Sequence, residues 1–188
     1  MIQAGNASAG TLWTIGHSTR EWDVFVGMLR EVDIQRLVDV RRFAGSRRNP
    51  QFAPSAMAPA LDAAGIAYLP MPELGGRRIA QADSPNGAWR VAAFRGYADY
   101  MASTDFVQAR TRLMHEADGA RCAVMCAEAL WWQCHRRLIA DDFVARGWDV
   151  VHLMAPGKQQ SHPLNPDARM QDGVLRYPAA GDEQPALF

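Results

Sequence analysis

Residues 126–137, which read C-A-E-A-L-W-W-Q-C-H-R-R, form the stretch that decides the fold. The preceding segment, residues 121–125, is short and apolar with polar flanks, as is typical of a buried strand. The following segment, residues 138–145, carries apolar residues at helical spacing and is followed by Gly147, a residue favoured just past a helix. The sequence therefore predicts a strand-to-helix turn. In open α/β sheets, ligands bind at such a turn, at the carboxyl ends of the strands.

A β-α-β pattern opens the chain. Residues 11–15 alternate in polarity, residues 22–32 repeat apolar side chains at helical spacing, and residues 36–40 form a second apolar run. Such a unit joins two parallel strands by a right-handed crossover. With further strands predicted at 66–69 and 149–154, we expect an α/β fold with a mainly parallel sheet of about five strands. Helices should cover both faces, and the C-terminal arm should be irregular.

The length of 188 residues suits one domain with a full hydrophobic core. We expect residues 11–178 to form this single α/β domain. Residues 1–10 are then an N-terminal extension. Five prolines punctuate the segment after residue 155, and residues 179–188 are polar enough to form a flexible tail.

The charge of the chain is balanced, with a formal net charge of zero at pH 7. No global field therefore attracts the protein to nucleic acid or to a membrane, and any anion-binding site must be local. Lys158 is the only lysine among 20 basic residues. Arginine grips a phosphate or carboxylate with two parallel donors, which lysine cannot do.

Cysteine usage favours a reducing compartment. Cys122, Cys126 and Cys134 are odd in number and close together, which argues against a disulfide framework. No apolar run is long enough to span a membrane, and the first ten residues lack a signal-peptide pattern. We therefore expect a cytoplasmic protein without a membrane partner.

Polar residues follow several predicted strands at the point where each strand ends. His17 follows the first strand, Asp39 ends the second, and Glu128 follows the central one. Because the carboxyl ends of parallel strands share one edge of the sheet, we expect these side chains to converge. We favour Glu128 as a general acid/base or nucleophile, with His17 and Asp39 completing the catalytic site.

Cys126 is a second candidate for the catalytic group, because nearby cations would lower its pKa. The spacing differs from the C-x5-R loop of phosphatases, since the sixth residue after Cys126 is Trp132.

Basic residues surround the same predicted edge and suit a phosphorylated or otherwise anionic ligand. The candidate anion-binding residues are Arg41, Arg42, Arg47, Arg48, Arg77, Arg78, His135 and Arg136.

A zinc or redox site is an alternative use of the central stretch. Cys126, Cys134 and His135 could ligate zinc, with Glu128 or His17 as the fourth ligand. The C-x7-C-H spacing matches no standard zinc motif, so we expect neither a metal nor a cofactor.

Six pieces of the chain together resemble the domain of unknown function 488 family. They occur in order between about residues 11 and 178, and none departs from the family's pattern. The pieces are T-I-G-H-S at 14–18, L-V-D-V-R at 37–41 running into S-R-R-N-P-Q-F at 46–52, L-G-G-R-R at 74–78, F-x-G-Y-A-D-Y-M at 94–101, C-A-E at 126–128 with C-H-R-R at 134–137, and H-P-L at 162–164. The resemblance implies a companion of DNA repair or modification systems, and it transfers no catalytic residue.

These observations lead to two functional hypotheses of different classes. The first is an enzyme that acts on a nucleotide or on the phosphate-sugar part of a nucleic acid, by N-glycosidic or phosphoester cleavage. The second is a non-catalytic module that binds or senses nucleic acid or nucleotides through the same basic cleft.

The last five residues, Q-P-A-L-F, resemble the short peptide with which bacterial repair and replication proteins bind the DNA sliding clamp. An extended peptide could insert Leu187 and Phe188 into an apolar pocket while Gln184 hydrogen-bonds at the pocket edge. Pro185 departs from the commoner leucine at its position. The sequence thus suggests the sliding clamp as a protein partner.

Overall fold

A computed structural model describes residues 8–45 and 48–180. Its main feature is a six-stranded sheet with the order β3-β2-β4-β1-β5-β6. Every pairing is parallel except that of β5 with β6. The predicted α/β fold with a mainly parallel sheet is confirmed, with one strand more than expected. The strands are β1 (Thr11–Gly16), β2 (Arg36–Asp39), β3 (Ala67–Pro70), β4 (Cys122–Cys126), β5 (Asp149–Ala155) and β6 (Lys158–Ser161).

Helices cover both faces of the sheet, as predicted. On one face, α1 and α2 pack against strand residues such as Ile15 and Met125. On the other face, α3, α4 and α5 pack against Val38 and Val124. The helices are α1 (Trp22–Arg30), α2 (Pro54–Ala63), α3 (Ala92–Tyr100), α4 (Thr104–Gly119) and α5 (Arg136–Ala145). Short 3-10 turns occur at Pro50–Phe52, Pro72–Leu74 and Trp131–Gln133.

Strand β4 is the centre of the sheet, and all five of its residues are buried. It lies between β1 and β2, although β1 and β2 follow each other in the sequence. The chain leaves β1 and β2 toward the face covered by α1 and α2, whereas it leaves β4 toward the face covered by α5. The loops after these strands therefore diverge, and a crevice opens between them at the carboxyl edge. Open α/β sheets bind their ligands at such a topological switch point.

The C-terminal arm contains more regular structure than the sequence indicated. Besides β6, it forms an antiparallel hairpin of β7 (Arg169–Gln171) and β8 (Val174–Arg176). The two turn residues, Asp172 and Gly173, have φ values of 49° and 76°, the left-handed pair that favours Asp-Gly. After the hairpin, Tyr177 is fully buried, and its ring makes an edge-to-face contact with the ring of Trp89.

The structure has no helix, within the ranges given above, that is long and apolar enough to cross a bilayer.

Candidate functional site

A cavity of about 230 Å³ lies at the carboxyl edge of the sheet, in the crevice between the loops after β2 and β4. One wall comes from the loop after β2, and the floor and opposite wall come from residues 126–128 and 133–135. The lining residues are Arg41, Arg42, Phe43, Gly76, Arg77, Ala93, Phe94, Cys126, Ala127, Glu128, Gln133, Cys134 and His135.

Glu128 contributes an exposed carboxylate to this cavity. Its backbone is held firmly, because the carbonyl oxygen accepts a hydrogen bond of 2.6 Å from the guanidinium of Arg136. Gly16 lies directly beneath, and a Cβ atom at that position would clash with the same carbonyl oxygen. The close packing of β1 under the loop therefore fixes where the Glu128 side chain leaves the backbone.

Asp39 and Arg41 form a buried, two-pronged ion pair at the cavity wall, with Arg41 lining the cavity and Asp39 behind it. The Arg41 Nε and Nη2 atoms donate to the Asp39 carboxylate at 2.8 and 2.7 Å. Arg41 also donates to the carbonyl oxygen of Phe52 at 2.8 Å, and the Tyr68 hydroxyl donates to Asp39 at 2.7 Å. Burial alone would lower the pKa of Arg41, but the hydrogen bonds and charge of Asp39 raise it. Most N–H donors of Arg41 are thus hydrogen-bonded to other groups of the protein. The ion pair therefore forms a rigid part of the cavity wall.

His17 supports this wall from below and does not line the cavity. Its Nδ1 atom donates to the carbonyl oxygen of Ser18 at 2.9 Å, and its Nε2 atom accepts from Arg41 at 3.1 Å. The ring stacks on Phe52 with centroids 4.4 Å apart. Burial, with Arg41 nearby, lowers the pKa of His17 to about 4. The imidazole is therefore neutral at pH 7, with both ring nitrogens in use.

Two cysteines meet at the cavity floor. The Sγ atoms of Cys126 and Cys134 lie 2.8 Å apart, although β4 ends at Cys126 and α5 begins only after Cys134. Burial raises the pKa of Cys126 well above its usual value. Burial also opposes ionisation of Cys134, yet the hydrogen bond from Cys126 and the positive groups beside it lower the pKa of Cys134 well below its usual value.

Arg136 is a buried cation without a carboxylate partner in the described ranges. Only 1% of the residue is exposed, and the ion pairs of the structure do not include it. Its Nη atoms donate to Thr14 Oγ1 at 3.2 Å and to the Glu128 carbonyl oxygen at 2.6 Å, while its Nε atom has no partner. Burial acts to lower the pKa of Arg136, but the neighbouring thiol groups of Cys126 and Cys134 raise it.

A buried chain of hydrogen bonds extends from Arg136 through Thr14 of β1 and His152 of β5 and returns to Asp141 of the same helix, α5. Thr14 Oγ1 contacts His152 Nδ1 at 2.7 Å, His152 Nε2 contacts His162 Nδ1 at 2.9 Å, and His162 Nε2 contacts Asp141 at 2.8 Å. One arrangement satisfies every contact: each group donates toward the Asp141 carboxylate, and each imidazole carries one proton. Sequence reasoning missed this chain. The available signals were His152, which the sequence places on the last predicted strand as a core imidazole, and the H-P-L piece that begins at His162.

The rim of the cavity is aromatic and cationic. Phe43 is 64% exposed, and the guanidiniums of Arg42 and Arg77 both lie 5.6 Å from its ring centroid. Phe94 and Gln133 line the cavity on other sides. An exposed aromatic ring with two cations beside it can stack on a flat ring while the cations bind phosphate.

The remaining predicted anion-binding residues have different positions. Arg78 lies 3.5 Å over the ring of Tyr100 and donates to the Glu73 carbonyl oxygen, outside the cavity lining. Arg48 is exposed and does not line the cavity. Arg47 lies outside the described residues, as do the three residues of the predicted clamp-binding peptide.

His135 lies in the cavity wall and is fixed by its neighbours. Gly76 packs so closely against the ring that a Cβ atom there would lie 2.9 Å from His135 Nδ1. That nitrogen lies 3.5 Å from Cys134 Sγ, and the buried Nε2 atom has no hydrogen-bond partner among the described residues. The site thus offers one unused imidazole nitrogen.

Donor atoms of Cys126, Glu128 and Cys134 lie within 4.8 Å of one another, close enough to share a metal ion. Two thiolates bound to one tetrahedral zinc ion keep their sulfurs roughly 3.8 Å apart, since each Zn–S bond is about 2.3 Å. The observed 2.8 Å is too short for that arrangement. His17 cannot serve as a fourth ligand, because both of its nitrogens are engaged. The separation of the two sulfurs is also shorter than an ordinary contact between two thiols and lies nearer to the length of a disulfide bond, so it marks the two cysteines as partners of each other.

Comparison with known proteins gives one match. The family described as "Domain of unknown function DUF488" matches residues 21–143, which is more than half of the chain. No curated protein matches the chain. No solved structure matches it either.

Proposed function

The chain belongs to the DUF488 family, and because the description of that family states no function, we propose one from the cavity itself. The protein is an enzyme that acts on a nucleotide or on the phosphate-sugar part of a nucleic acid. Its reaction is the cleavage of an N-glycosidic or phosphoester bond. The observation that carries this proposal is the exposed Glu128 carboxylate in a cavity whose rim combines Phe43 with two guanidiniums.

Each part of the cavity has a role in binding such a substrate. Phe43 supplies a face on which a base can stack, and base–aromatic stacking tolerates any base. Arg42 and Arg77 flank that ring and can bind phosphate oxygens. The Asp39–Arg41 pair forms a wall that does not change shape on binding, because its donors are already hydrogen-bonded.

Glu128 performs the acid/base step. Its carboxylate is exposed to the cavity and can take a proton from a water molecule that attacks the sugar or phosphorus atom. Arg136 holds the Glu128 backbone in place. Such positioning matters because general acid/base catalysis requires the catalytic group within hydrogen-bond reach of the proton.

The test is turnover by Glu128→Gln over a panel of nucleotides and of single- and double-stranded oligonucleotides. We expect the variant to lose at least about 100-fold in rate while substrate binding persists, as for removal of a general acid or base. Glu73→Gln is the matched control. Glu73 is also an exposed glutamate beyond a strand end, but it pairs with Arg112 outside the cavity.

The rival function is a non-catalytic module that binds nucleotides or nucleic acid. Binding to the wild-type protein without turnover of any member of the panel would support this rival and overturn the enzymatic proposal. Equal turnover by the wild-type protein and Glu128→Gln would remove Glu128 from the mechanism.

We also propose that the protein works in cytoplasmic DNA repair or modification. The three cysteines are free and buried, which suits a reducing compartment. The C-terminal peptide with Gln184, Leu187 and Phe188 supports an encounter with the DNA sliding clamp. Affinity should be weak, on the order of micromolar, because an extended peptide loses entropy when it binds.

A fluorescence titration of the terminal peptide against the clamp tests this partner. We expect saturable binding that is lost when Leu187 and Phe188 are deleted. Binding that is unchanged by this deletion, or absent at high micromolar peptide, would overturn the proposed partnership and leave the cavity's proposed activity untouched.

A further inference from the structure

The buried guanidinium of Arg136 has no ion-pair partner in the part of the chain that the structure describes. A buried cation is strongly destabilising unless an anion or several hydrogen bonds compensate it. Within residues 8–45 and 48–180, the partners of its Nη atoms are a hydroxyl group and backbone carbonyl groups, and its Nε atom has none. All of these partners are neutral, so an anion beside Arg136 would stabilise the buried guanidinium further.

Cys134 is the group in a position to be that anion. Its Sγ atom accepts a hydrogen bond from the backbone N–H of Arg136 at 3.4 Å. The Cys126 sulfur lies at 2.8 Å and the His135 Nδ1 atom at 3.5 Å. With Cys126 as a thiol and the proton of His135 on Nδ1, all three contacts donate to this sulfur, and such an arrangement favours its thiolate form. Cys126 is then the protonated partner, because two thiolates at this separation would repel each other.

We propose that Cys126 and Cys134 are a redox-active pair, in which a thiolate at Cys134 reacts with a small hydroperoxide and Cys126 then closes a disulfide. In the first step with hydrogen peroxide, Cys134 Sγ attacks one peroxide oxygen, the O–O bond breaks, and the other oxygen leaves as hydroxide. Cys134 becomes a sulfenic acid, having lost two electrons to the peroxide. In the second step, Cys126 Sγ attacks Cys134 Sγ, its proton joins the departing hydroxyl group, and water leaves.

The geometry allows both steps. Only 1% of Cys126 and 2% of Cys134 is exposed, but both line the cavity, which is the side from which a molecule as small as hydrogen peroxide would approach them. The two sulfurs need to move together by less than about 1 Å to reach the length of a disulfide bond. The third cysteine, Cys122, lies at the other end of β4 and donates to the Glu116 carbonyl oxygen, away from the cavity. The titratable groups near the pair are Glu128, His135, Arg136 and Tyr97.

Oxidation would also change the charge balance and the cavity. A disulfide carries no charge, so Arg136 would lose its counter-charge, and this favours the reduced pair. Couples whose reduced form is stabilised in this way are oxidising and are easily reduced by small thiols. The disulfide would close a loop over residues 127–133, which includes Glu128, and would therefore restrict the cavity wall.

The test uses the full chain and hydrogen peroxide as the probe, with intact mass and peptide mapping as the readout. We expect the reduced protein to lose about 2 Da on treatment with about one equivalent of peroxide, with Cys126 and Cys134 in one cross-linked peptide pair. Dithiothreitol should reverse the change. This measurement does not involve nucleotide turnover, so it tests the redox pair independently of the proposed enzymatic function.

Three variants assign the roles of the cysteines. In Cys126→Ser, we expect a sulfenic acid at Cys134 that a dimedone probe captures. In Cys134→Ser, we expect no reaction at Cys126 at the same peroxide concentration. Cys122→Ser is the matched control, since it removes a buried cysteine of the same strand and should form the disulfide as the wild-type protein does.

Several outcomes would overturn the inference. One is wild-type protein that keeps all three thiols after peroxide treatment, as counted by alkylation in denaturant. Another is direct over-oxidation of Cys134 without a disulfide in the wild-type protein. A third is stoichiometric zinc in the purified protein that protects both thiols from peroxide and leaves with a chelator.

Discussion

The guanidinium of Arg136 donates a hydrogen bond of 2.6 Å to the backbone carbonyl oxygen of Glu128, so a buried cation holds the loop that presents an exposed carboxylate. Gly16 of β1 supports this contact from below, because its lack of a side chain lets the Glu128 carbonyl and the Arg136 Nη2 atom approach the strand. The position of the candidate catalytic group therefore depends on a residue of another strand.

Gly16→Ala should displace the Glu128 loop. The added Cβ would clash with the Glu128 carbonyl oxygen and lie 2.9 Å from Arg136 Nη2. We expect a loss of about 1–3 kcal/mol in the free energy of unfolding, as for other overpacked cores, together with a clear loss of activity. Urea unfolding and turnover assays check this prediction.

Gly27→Ala is the control for that experiment. Gly27 lies in α1, and a Cβ atom there would meet nothing within 4 Å. Alanine should raise the free energy of unfolding by up to about 1 kcal/mol, because glycine is a poor helix former. Equal effects of the two substitutions would show that the loop does not depend on Gly16.

Arg77→Ala should weaken the binding of a nucleotide or single-stranded oligonucleotide by about tenfold or more, which is the typical contribution of one charge-assisted hydrogen bond. Arg78→Ala provides the matched control, because Arg78 is adjacent in sequence but stacks on Tyr100 outside the cavity. Fluorescence anisotropy at two salt concentrations measures both variants. If Arg78→Ala weakens binding as much as Arg77→Ala, the rim around Phe43 is not the phosphate site.

Asp39→Asn should destabilise the protein by about 3–5 kcal/mol, because it leaves the buried Arg41 guanidinium without its counter-charge. Tyr68→Phe removes one charge-assisted hydrogen bond to the same carboxylate but keeps the ion pair, and it should cost less, about 1.5–3 kcal/mol. Chemical denaturation of the two variants distinguishes a structural ion pair from a freely exposed carboxylate. A loss below about 1 kcal/mol for Asp39→Asn would contradict the buried pair.

Stability should decline in mild acid. The pKa values of His17 and His152 are lowered to about 4 and about 2, mainly by burial. Both rings are therefore neutral in the folded protein but take up a proton near pH 6.5 when it unfolds. Their contribution is complete above about pH 6.5 and falls as the pH drops toward 4, by up to about 1.4 kcal/mol per pH unit for each histidine.

Urea unfolding between pH 7.5 and 4.5 measures this decline. In His152→Gln, the free energy of unfolding should depend less steeply on pH, because one of the two titrating rings is removed. His115→Gln should leave the slope unchanged, because His115 is exposed. A wild-type slope that equals that of His152→Gln would mean that His152 is not the source of the acid sensitivity.

The sequence predicted the sheet because its signals are local. Apolar runs and breakers occur within a few residues of each strand, and the strand-to-helix turn at 126–137 could be recognised from its own residues. The Asp172-Gly173 turn is a local signal too, and it would have revealed the β7–β8 hairpin. The polar strand β6 offered no such signal, because all four of its residues are exposed.

The buried polar contacts could not be predicted in this way. Thr14 meets His152 across 138 positions of sequence and meets Arg136 across 122. Nothing near any of these residues in the sequence indicates its partner. The same limit applies to the predicted anion-binding residues, since only the folded chain shows that Arg136 is buried while Arg77 faces the cavity.

The place of β4 between β1 and β2 has a consequence for synthesis on the ribosome. Strand β1 pairs only with β4 and β5 within the described structure, so it has no partner until residue 126 has left the exit tunnel. During that time the β2–β3 pair has an open edge, and the apolar side chains of β1 remain exposed to other chains. Because the chain is made from the N-terminus, the whole sheet can assemble only late in synthesis. Strand β4, which joins β1 to β2 in the sheet, also brings Cys126 and Glu128 to the cavity.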